Sequence, residues 1–270
     1  MLDLATSPDL VRARRLLDGR TLAVLTGAGI STDSGIPDYR GPDSPPRTPM
    51  TYQEFVSGPA AQRRYWARAH VGWGHMSAAH PNDGHRVLRR MEQAGRTRGL
   101  ITQNVDGLHE AAGQQNLITL HGRISDVICL DCGTRSSRAD LHARLERLNP
   151  GYAEREVEIA PDGDAVIDDV DSFVVAACEV CGGVLKPDVV FFGENVPRER
   201  VRAATTMVEE SEALLVVGSS LQVMSGLRFA RQVAKADKPL VIVNRGDARG
   251  DDLATVKIDG GVAESLAVLE

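Results

Sequence analysis

Apolar residues along this chain fall into short continuous runs, separated by longer amphipathic stretches. Six runs read as strands: Leu22 to Leu25, Gly99 to Thr102, Leu117 to Leu120, Val189 to Phe192, Ala213 to Val217 and Leu240 to Val243. Runs this short and this uniformly apolar suit strands covered on both faces. Between several of them the apolar positions recur at helical spacing, in Gly84 to Ala94, Arg198 to Ser211 and Ser225 to Ala236. The N-terminal stretch predicts a further amphipathic helix, capped by Ser7 or Asp9. Strand and helix in alternation predict a parallel α/β sheet with helices on both faces.

Two segments break this rhythm. Residues 50–83 are rich in aromatic and basic side chains and predict an inserted helical lobe. Residues 126–188 carry all four cysteines and few helix signals in their middle. Glu154 to Asp171 holds eight acidic residues against one arginine, a density of like charge that predicts a solvated loop or hairpin. The balance of the whole chain is mildly acidic, with a net charge of −6 over 270 residues. That argues against a broad nucleic-acid footprint, while leaving a basic peptide as a possible partner. No run of 18 or more apolar residues is present, so no membrane partner is expected. The N-terminus lacks the apolar core of a secretion signal, and a cytoplasmic location is the default expectation.

The cysteines come as two C-x-x-C pairs, Cys129 with Cys132 and Cys178 with Cys181, each followed by glycine. Two such pairs can complete a tetrahedron around one zinc ion. The 45 residues between them exceed usual ribbon spacing, and the acidic insertion accounts for the excess. Disulfides or a redox pair are the alternatives, and nothing points to an oxidising compartment. Four protein ligands would leave no open position, so the expected zinc is structural rather than catalytic.

Candidate ligand-binding residues gather where predicted strands end. Gly27 and Gly29 follow the first strand, and glycine permits sharp turns and close approach to a ligand. They make half of a dinucleotide fingerprint, because Thr32 stands at the third glycine position, and a tight turn is the other reading. Gln103, Asn104 and Asp106 follow the second strand, as ligand contacts or as turn and cap residues. His121 and Gly122 end the third, and the histidine is a candidate proton acceptor. The other six histidines are expected on the surface or in packing. Gly218, Ser219 and Ser220 end another strand and Asn244 the last, suited to phosphate or ribose.

Together these stretches resemble the sirtuin family of NAD-dependent protein-lysine deacylases. The resemblance is carried by GAGIS at 27–31, GIPDYRG at 35–41, TQNVDGLH at 102–109, LHG at 120–122, the two C-x-x-C units, VVFFGE at 189–194, GSSLQV at 218–223 and Asn244. It implies a Rossmann-like NAD-binding domain from residues 1–49, 84–125 and 189–270, a helical insertion at 50–83 and a zinc-binding small domain at 126–188. NAD would be a co-substrate, with one structural zinc per chain.

The resemblance also implies roles. Gly27, Ala28, Gly29, Ile30 and Ser31 would form the loop that holds the pyrophosphate and closes over the nicotinamide. Ile36 and Asp106 would line the nicotinamide pocket, and Pro37, Asp38 and Val105 would be further cofactor contacts. Gln103 and Asn104 would contact the ribose, Asn104 as a catalytic residue. Arg40 would reach a phosphate, and Tyr39, where most of the family has Phe, would shield the reactive ribose face. Gly218, Ser219, Ser220, Asn244, Arg245, Gly246 and Val262 would complete the cofactor site. After the acyl-lysine oxygen displaces nicotinamide, His121 would serve as general base toward a ribose hydroxyl. The products would be free lysine, O-acyl-ADP-ribose and nicotinamide. An acyl-lysine protein or peptide would pair as an added strand along Val190, Phe191, Phe192, Gly193 and Glu194 on one side and Leu221 to Val223 on the other.

PDYRG, RYWARAHVGW at 64–73 and the long cysteine spacing resemble the branch that includes the lipoamidase and ADP-ribosyltransferase-type enzymes. Tyr65 and Arg68 form a Tyr-x-x-Arg, which related sirtuins use for acidic acyl groups; packing of a helix face on the core is the other reading. Mono-ADP-ribosyl transfer to protein is the alternative activity. A dehydrogenase would want a fuller dinucleotide fingerprint, and a zinc-ribbon nucleic-acid module would want a basic surface.

Overall fold

A computed structural model describes residues 7–39, 48–154 and 170–270. Arg40 and most of the acidic segment lie outside the described residues. Six parallel strands form the main sheet: β1 Leu22–Thr26, β2 Thr97–Thr102, β3 Leu117–Thr119, β7 Ala213–Val217, β8 Leu240–Val243 and β9 Val256–Ile258. Their order is β3-β2-β1-β7-β8-β9, so the winding reverses between β1 and β7.

The short apolar runs are strands because both of their faces are buried. Along β1, Leu22 and Val24 point into one apolar cluster, and Ala23 and Leu25 into the opposite one. The alternation repeats in β7, with Leu215 and Val217 on one side and Leu214 and Val216 on the other. The first face is covered by α1 Pro8–Leu17, α4 Asp83–Gln93 and α9 Val262–Leu269. The second is covered by α7 Arg198–Glu209 and α8 Met224–Lys235. Ser7 occupies the cap position of α1, but its side chain makes no capping bond.

A second sheet is antiparallel, in the order β5-β4-β6, from β4 Gly122–Cys129, β5 Arg135–Ser137 and β6 Leu185–Val189. Here the expectation for Val189 to Phe192 needs correction. Val189 ends β6 in the small sheet, and none of the four residues enters the parallel one. The Val190 N–H is drawn to the His121 carbonyl at 2.8 Å, and Phe192 bridges to Thr51. The sixth parallel strand is β9, a three-residue strand that sequence reading passed over.

The inserted helices and the small sheet share one core. Residues 50–83 contain α2 Tyr52–Phe55 and the long helix α3 Pro59–Ala78. Trp66 of α3 is buried and its indole N–H donates to the Leu185 carbonyl of β6 at 2.9 Å. Arg138 opens α6 Arg138–Leu148, a helix in a region that carried few helix signals. Its guanidinium lies 5.1 Å from the Trp66 ring centre and 5.0 Å from that of Trp73, and it donates to the Ala69 carbonyl. The boundaries expected at 125/126 and 188/189 fall inside β4 and β6, which run continuously across them.

Candidate active site

The carboxyl ends of the parallel strands open onto a cleft of about 440 Å³. The loops after β1 and β7 meet in it, at the point where the sheet reverses its winding, which is where open α/β sheets bind ligands. The backbones of these loops touch. The Gly29 N–H donates to the Gly218 carbonyl at 2.8 Å, and the Gly27 N–H to the Val217 carbonyl at 3.1 Å. A Cβ on Gly218 would lie 2.4 Å from the Ile30 nitrogen, and one on Gly27 would lie 2.8 Å from the Gly218 oxygen. The glycines therefore answer first to this loop-on-loop contact. No long helix follows them: the chain makes two 3₁₀ turns, at Ala28–Ile30 and Thr32–Ser34, and Gly35 then turns left-handed at φ +83°. Thr32 at the missing third glycine belongs to the second of these turns.

His121 leaves β3 between two partners. Its Nδ1 lies 2.8 Å from the Gln103 carbonyl and its Nε2 2.9 Å from the Ser225 hydroxyl. A carbonyl only accepts, so Nδ1 carries a hydrogen, and in the neutral ring Nε2 then presents a lone pair to the Ser225 hydroxyl. Burial pushes the imidazole pKa down, the Gln103 carbonyl opposes this, and the Arg200 charge adds to it. Burial thus favours the neutral ring, the form a proton acceptor needs.

Asn104 and Asp106 meet the opening loop through Ser31. The Asn104 amide donates to Ser31 Oγ at 3.0 Å, and the Ser31 hydroxyl donates to Asp106 Oδ2 at 2.7 Å. Asp106 Oδ1 also accepts from the Leu108 N–H at 2.9 Å, at the start of the short helix α5 Leu108–Ala111, whose cap position is Gly107. Asp106 is thus a turn residue as well as a cleft residue. Burial raises the Asp106 pKa, and the two donors pull against it. Gln103 is held through both ends, its carbonyl on His121 and its Oε1 accepting from the Ser219 hydroxyl at 2.7 Å.

The cleft brings together Gly27, Ala28, Gly29, Ser31, Ile36, Asp38, Tyr39, Gln103, Asn104, Val105, Asp106, His121, Gly218, Ser219, Ser220, Asn244 and Arg245. Val190 to Glu194 and Val223 line it as well. Ile30, Pro37, Gly246 and Val262 do not. Ile30 and Val262 pack in the core, and Gly246 donates to Asp259 and accepts from Lys257. Along 190–194 much polar capacity is already engaged: Phe191 N–H donates to Glu194, which also pairs with buried Lys186 at 3.1 Å, and Tyr52 N–H donates to Phe192 O. Tyr65 lines the cleft within an aromatic group with Phe55 and Phe191, whereas Arg68 is not among the lining residues.

Ser225 escaped the sequence reading, along with the apolar lining residues Met76 and Ile124. A serine at the start of a helix is ordinary, and nothing in its spacing marked it as a partner of His121. His70, His85 and His109 are fully or almost fully buried packing residues.

At the end of the small sheet the four cysteine sulfurs all lie within 4.8 Å of one another, with 3.5 Å between Cys129 and Cys181 and 3.8 Å between Cys132 and Cys178. Tetrahedral zinc with bonds of about 2.3 Å requires sulfur separations of about 3.8 Å. All four are free thiols, and the donor set fits zinc.

A doubly wound sheet with a cleft at its switch point defines an α/β protein of Rossmann type. The chain belongs to the Sir2 family, whose model matches residues 27–225. It is 57% identical over 270 residues to the NAD-dependent protein deacetylase 1 of Mycobacterium avium (strain 104), covering 98% of this chain and 95% of that protein. It is 53% identical to the NAD-dependent protein deacetylase 1 of Streptomyces coelicolor, covering 95% and 85%. Among solved structures it resembles Sir2 with a p53 peptide and NAD+, at a TM-score of 0.75 and 32% identity over 94% of this chain and 93% of that one. It also resembles Sir2 bound to acetylated peptide, at a TM-score of 0.73 and 29% identity over 96% and 95%.

Proposed function

We propose that this chain is an NAD-dependent protein-lysine deacylase, yielding free lysine, O-acyl-ADP-ribose and nicotinamide. The observation that carries the reading is His121, held through Nδ1 on the Gln103 carbonyl and through Nε2 on the Ser225 hydroxyl, in a cleft shared by the glycine loops and the Val190 to Glu194 segment. The names of its relatives, NAD-dependent protein deacetylases, support the same activity. Bound NAD would supply an ADP-ribosyl group activated toward an acyl oxygen. The residues fit that group: the loops after β1 and β7 bring backbone into the cleft with no side chain at Gly27 or Gly218, and the amides of Gln103, Asn104 and Asn244 and the hydroxyls of Ser31, Ser219 and Ser220 line it beside Asp106 and Arg245. Asn104 and Asp106, fixed by Ser31, would orient the ribose and nicotinamide ends, and His121 would take the proton of a ribose hydroxyl.

Cys129, Cys132, Cys178 and Cys181 would hold one structural zinc. The finer placement, in the lipoamidase and ADP-ribosyltransferase-type branch, is supported by PDYRG, RYWARAHVGW and the cysteine spacing. Acyl-lysine proteins or peptides are the proposed partners; no helix among the described residues is long and apolar enough to cross a membrane.

The test is mass spectrometry of acetyl-lysine peptides incubated with and without NAD. Wild type should remove the acetyl group only with NAD, and His121→Ala should slow removal by about 10²–10⁴-fold. Acyl removal by His121→Ala at the wild-type rate would refute the assignment of the base.

A further inference from the structure

We infer that Ser225 is a positioning residue for His121, holding the lone pair of the base in the cleft until a substrate hydroxyl takes its place. The inference rests on the deacylase reading and adds a residue to it.

The geometry begins with the tautomer. Nδ1–H is committed to the Gln103 carbonyl at 2.8 Å, so the contact at Nε2 requires a donor. The Ser225 hydroxyl, 2.9 Å away, is that donor. An imidazole held at one nitrogen can still swing about that bond, whereas one held at both has a fixed plane. Ser225 supplies the second point.

The hydroxyl has no other task at its helix end. Ser225 is the second residue of α8, inside the helix rather than at its cap. The cap position is Val223, and no side chain caps this helix.

Its placement is set by the residue that holds the other nitrogen. Gly226 follows Ser225, and a Cβ there would stand 2.7 Å from Gln103 Nε2. The lack of that Cβ lets the start of α8 press against the Gln103 side chain, which the Ser219 hydroxyl fixes at 2.7 Å. Main chain and side chain of Gln103 thus set both anchors of the imidazole, which is the support that a reacting group needs to stay in productive geometry.

A serine hydroxyl at Nε2 is chemically the same kind of donor as the ribose hydroxyl the base is to deprotonate. On arrival of the ribose hydroxyl, Ser225 would rotate away with its own proton. Nε2 of His121 would then take the proton of the ribose hydroxyl, whose oxygen would be the nucleophile. Ser225 neither gains nor loses an atom.

Two rates separate this role from a structural one. Exchange of labelled nicotinamide into NAD reports bond breaking before His121 acts, and acetyl release reports the step that uses His121. Ser225→Ala should lower the ratio of deacetylation to exchange about tenfold, equivalent to about 1.4 kcal/mol. Ser225→Thr, which keeps a hydroxyl, should restore the ratio. If Ser225→Ala left the ratio unchanged, with both rates kept or both reduced in parallel, the Ser225 assignment alone would fall. A wild-type chain without NAD-dependent deacetylation would instead overturn the reading beneath it, and the assignment with it.

Discussion

Gly218 is the position at which one added carbon should do the most damage. It sits at φ +60°, in the left-handed region that costs residues with a Cβ about 1–2 kcal/mol. Its absent Cβ would also lie 2.4 Å from the Ile30 nitrogen and 2.6 Å from the Gly29 carbonyl carbon. Both are main-chain atoms of the opening loop and cannot rotate aside. Relief requires the two loops to part by about 1 Å, and overpacking of this kind costs about 1–3 kcal/mol. The Gly29 N–H to Gly218 carbonyl bond, 2.8 Å long, would stretch with them. Gly218→Ala should therefore lose about 2–5 kcal/mol, a large share of the 5–15 kcal/mol that stabilises an ordinary domain. Gly19 provides the control. It has nearly the same φ, +68°, and nothing within 4 Å of its absent Cβ. Gly19→Ala should cost the conformational part alone, about 1–2 kcal/mol. Urea unfolding of both variants measures the difference, and calorimetric titration with NAD measures the cleft. NAD affinity should fall in Gly218→Ala and hold in Gly19→Ala. Equal unfolding midpoints with unchanged NAD affinity would refute the loop-on-loop account.

Three further outcomes follow from other parts of the molecule. Elemental analysis should find one zinc per chain, and Cys129→Ser should lower both metal content and melting temperature; a metal-free protein of undiminished stability would contradict the zinc assignment. His70 and His85 are buried, and burial lowers each pKa from 6.5 to about 4, helped at His70 by His142 and Arg138 against Glu146, and at His85 by Arg86. The unfolded chain then binds more protons than the native one below pH about 6.5, so stability should fall with pH down to about 4, by about 2 kcal/mol per group at pH 5. Urea midpoints that stay level from pH 7.5 to 5 would show that these histidines are not buried neutral. Arg68 is not among the residues lining the cleft, so Arg68→Met should leave the ratio of succinyl- to acetyl-peptide rates unchanged, and a reversal would reinstate an acidic-acyl role.

The sheet was legible where burial on both faces left only one secondary structure that could satisfy the pattern. Ala213 to Val217 and Leu240 to Val243 match β7 and β8 residue for residue. Val189 to Phe192 has the same apolar look for another reason: its side chains fill the cleft wall and the lobe core while its main chain turns away from β6. Apolarity reports burial, and burial is not confined to strands. β9 was invisible because it is three residues long with half-buried Lys257 in its middle, and that lysine reaches back to the Asn244 and Gly246 carbonyls. The shared core of α3 and the small sheet was beyond reach because Trp66 and Leu185 are 119 residues apart.

The density of polar residues behind the glycines has a physical cause that composition alone does not reveal. A strand end in a doubly wound sheet emerges from an apolar layer, and each polar group there must find a partner before any ligand arrives. Ser31 accepts from Asn104 and donates to Asp106, and Gln103 accepts from Ser219 while holding His121. These bonds satisfy the loop's own groups and in doing so fix their directions. Asn104 cannot turn without releasing Ser31, and Ser31 cannot turn without releasing Asp106. The same residues that read as ligand contacts in the sequence are thus also one another's scaffold. Preorganisation of this kind lowers the ordering cost of binding. It also explains why the chemistry-bearing residues sit in tight motifs: a partner one residue out of register would leave both a group unsatisfied and a catalytic side chain free to wander.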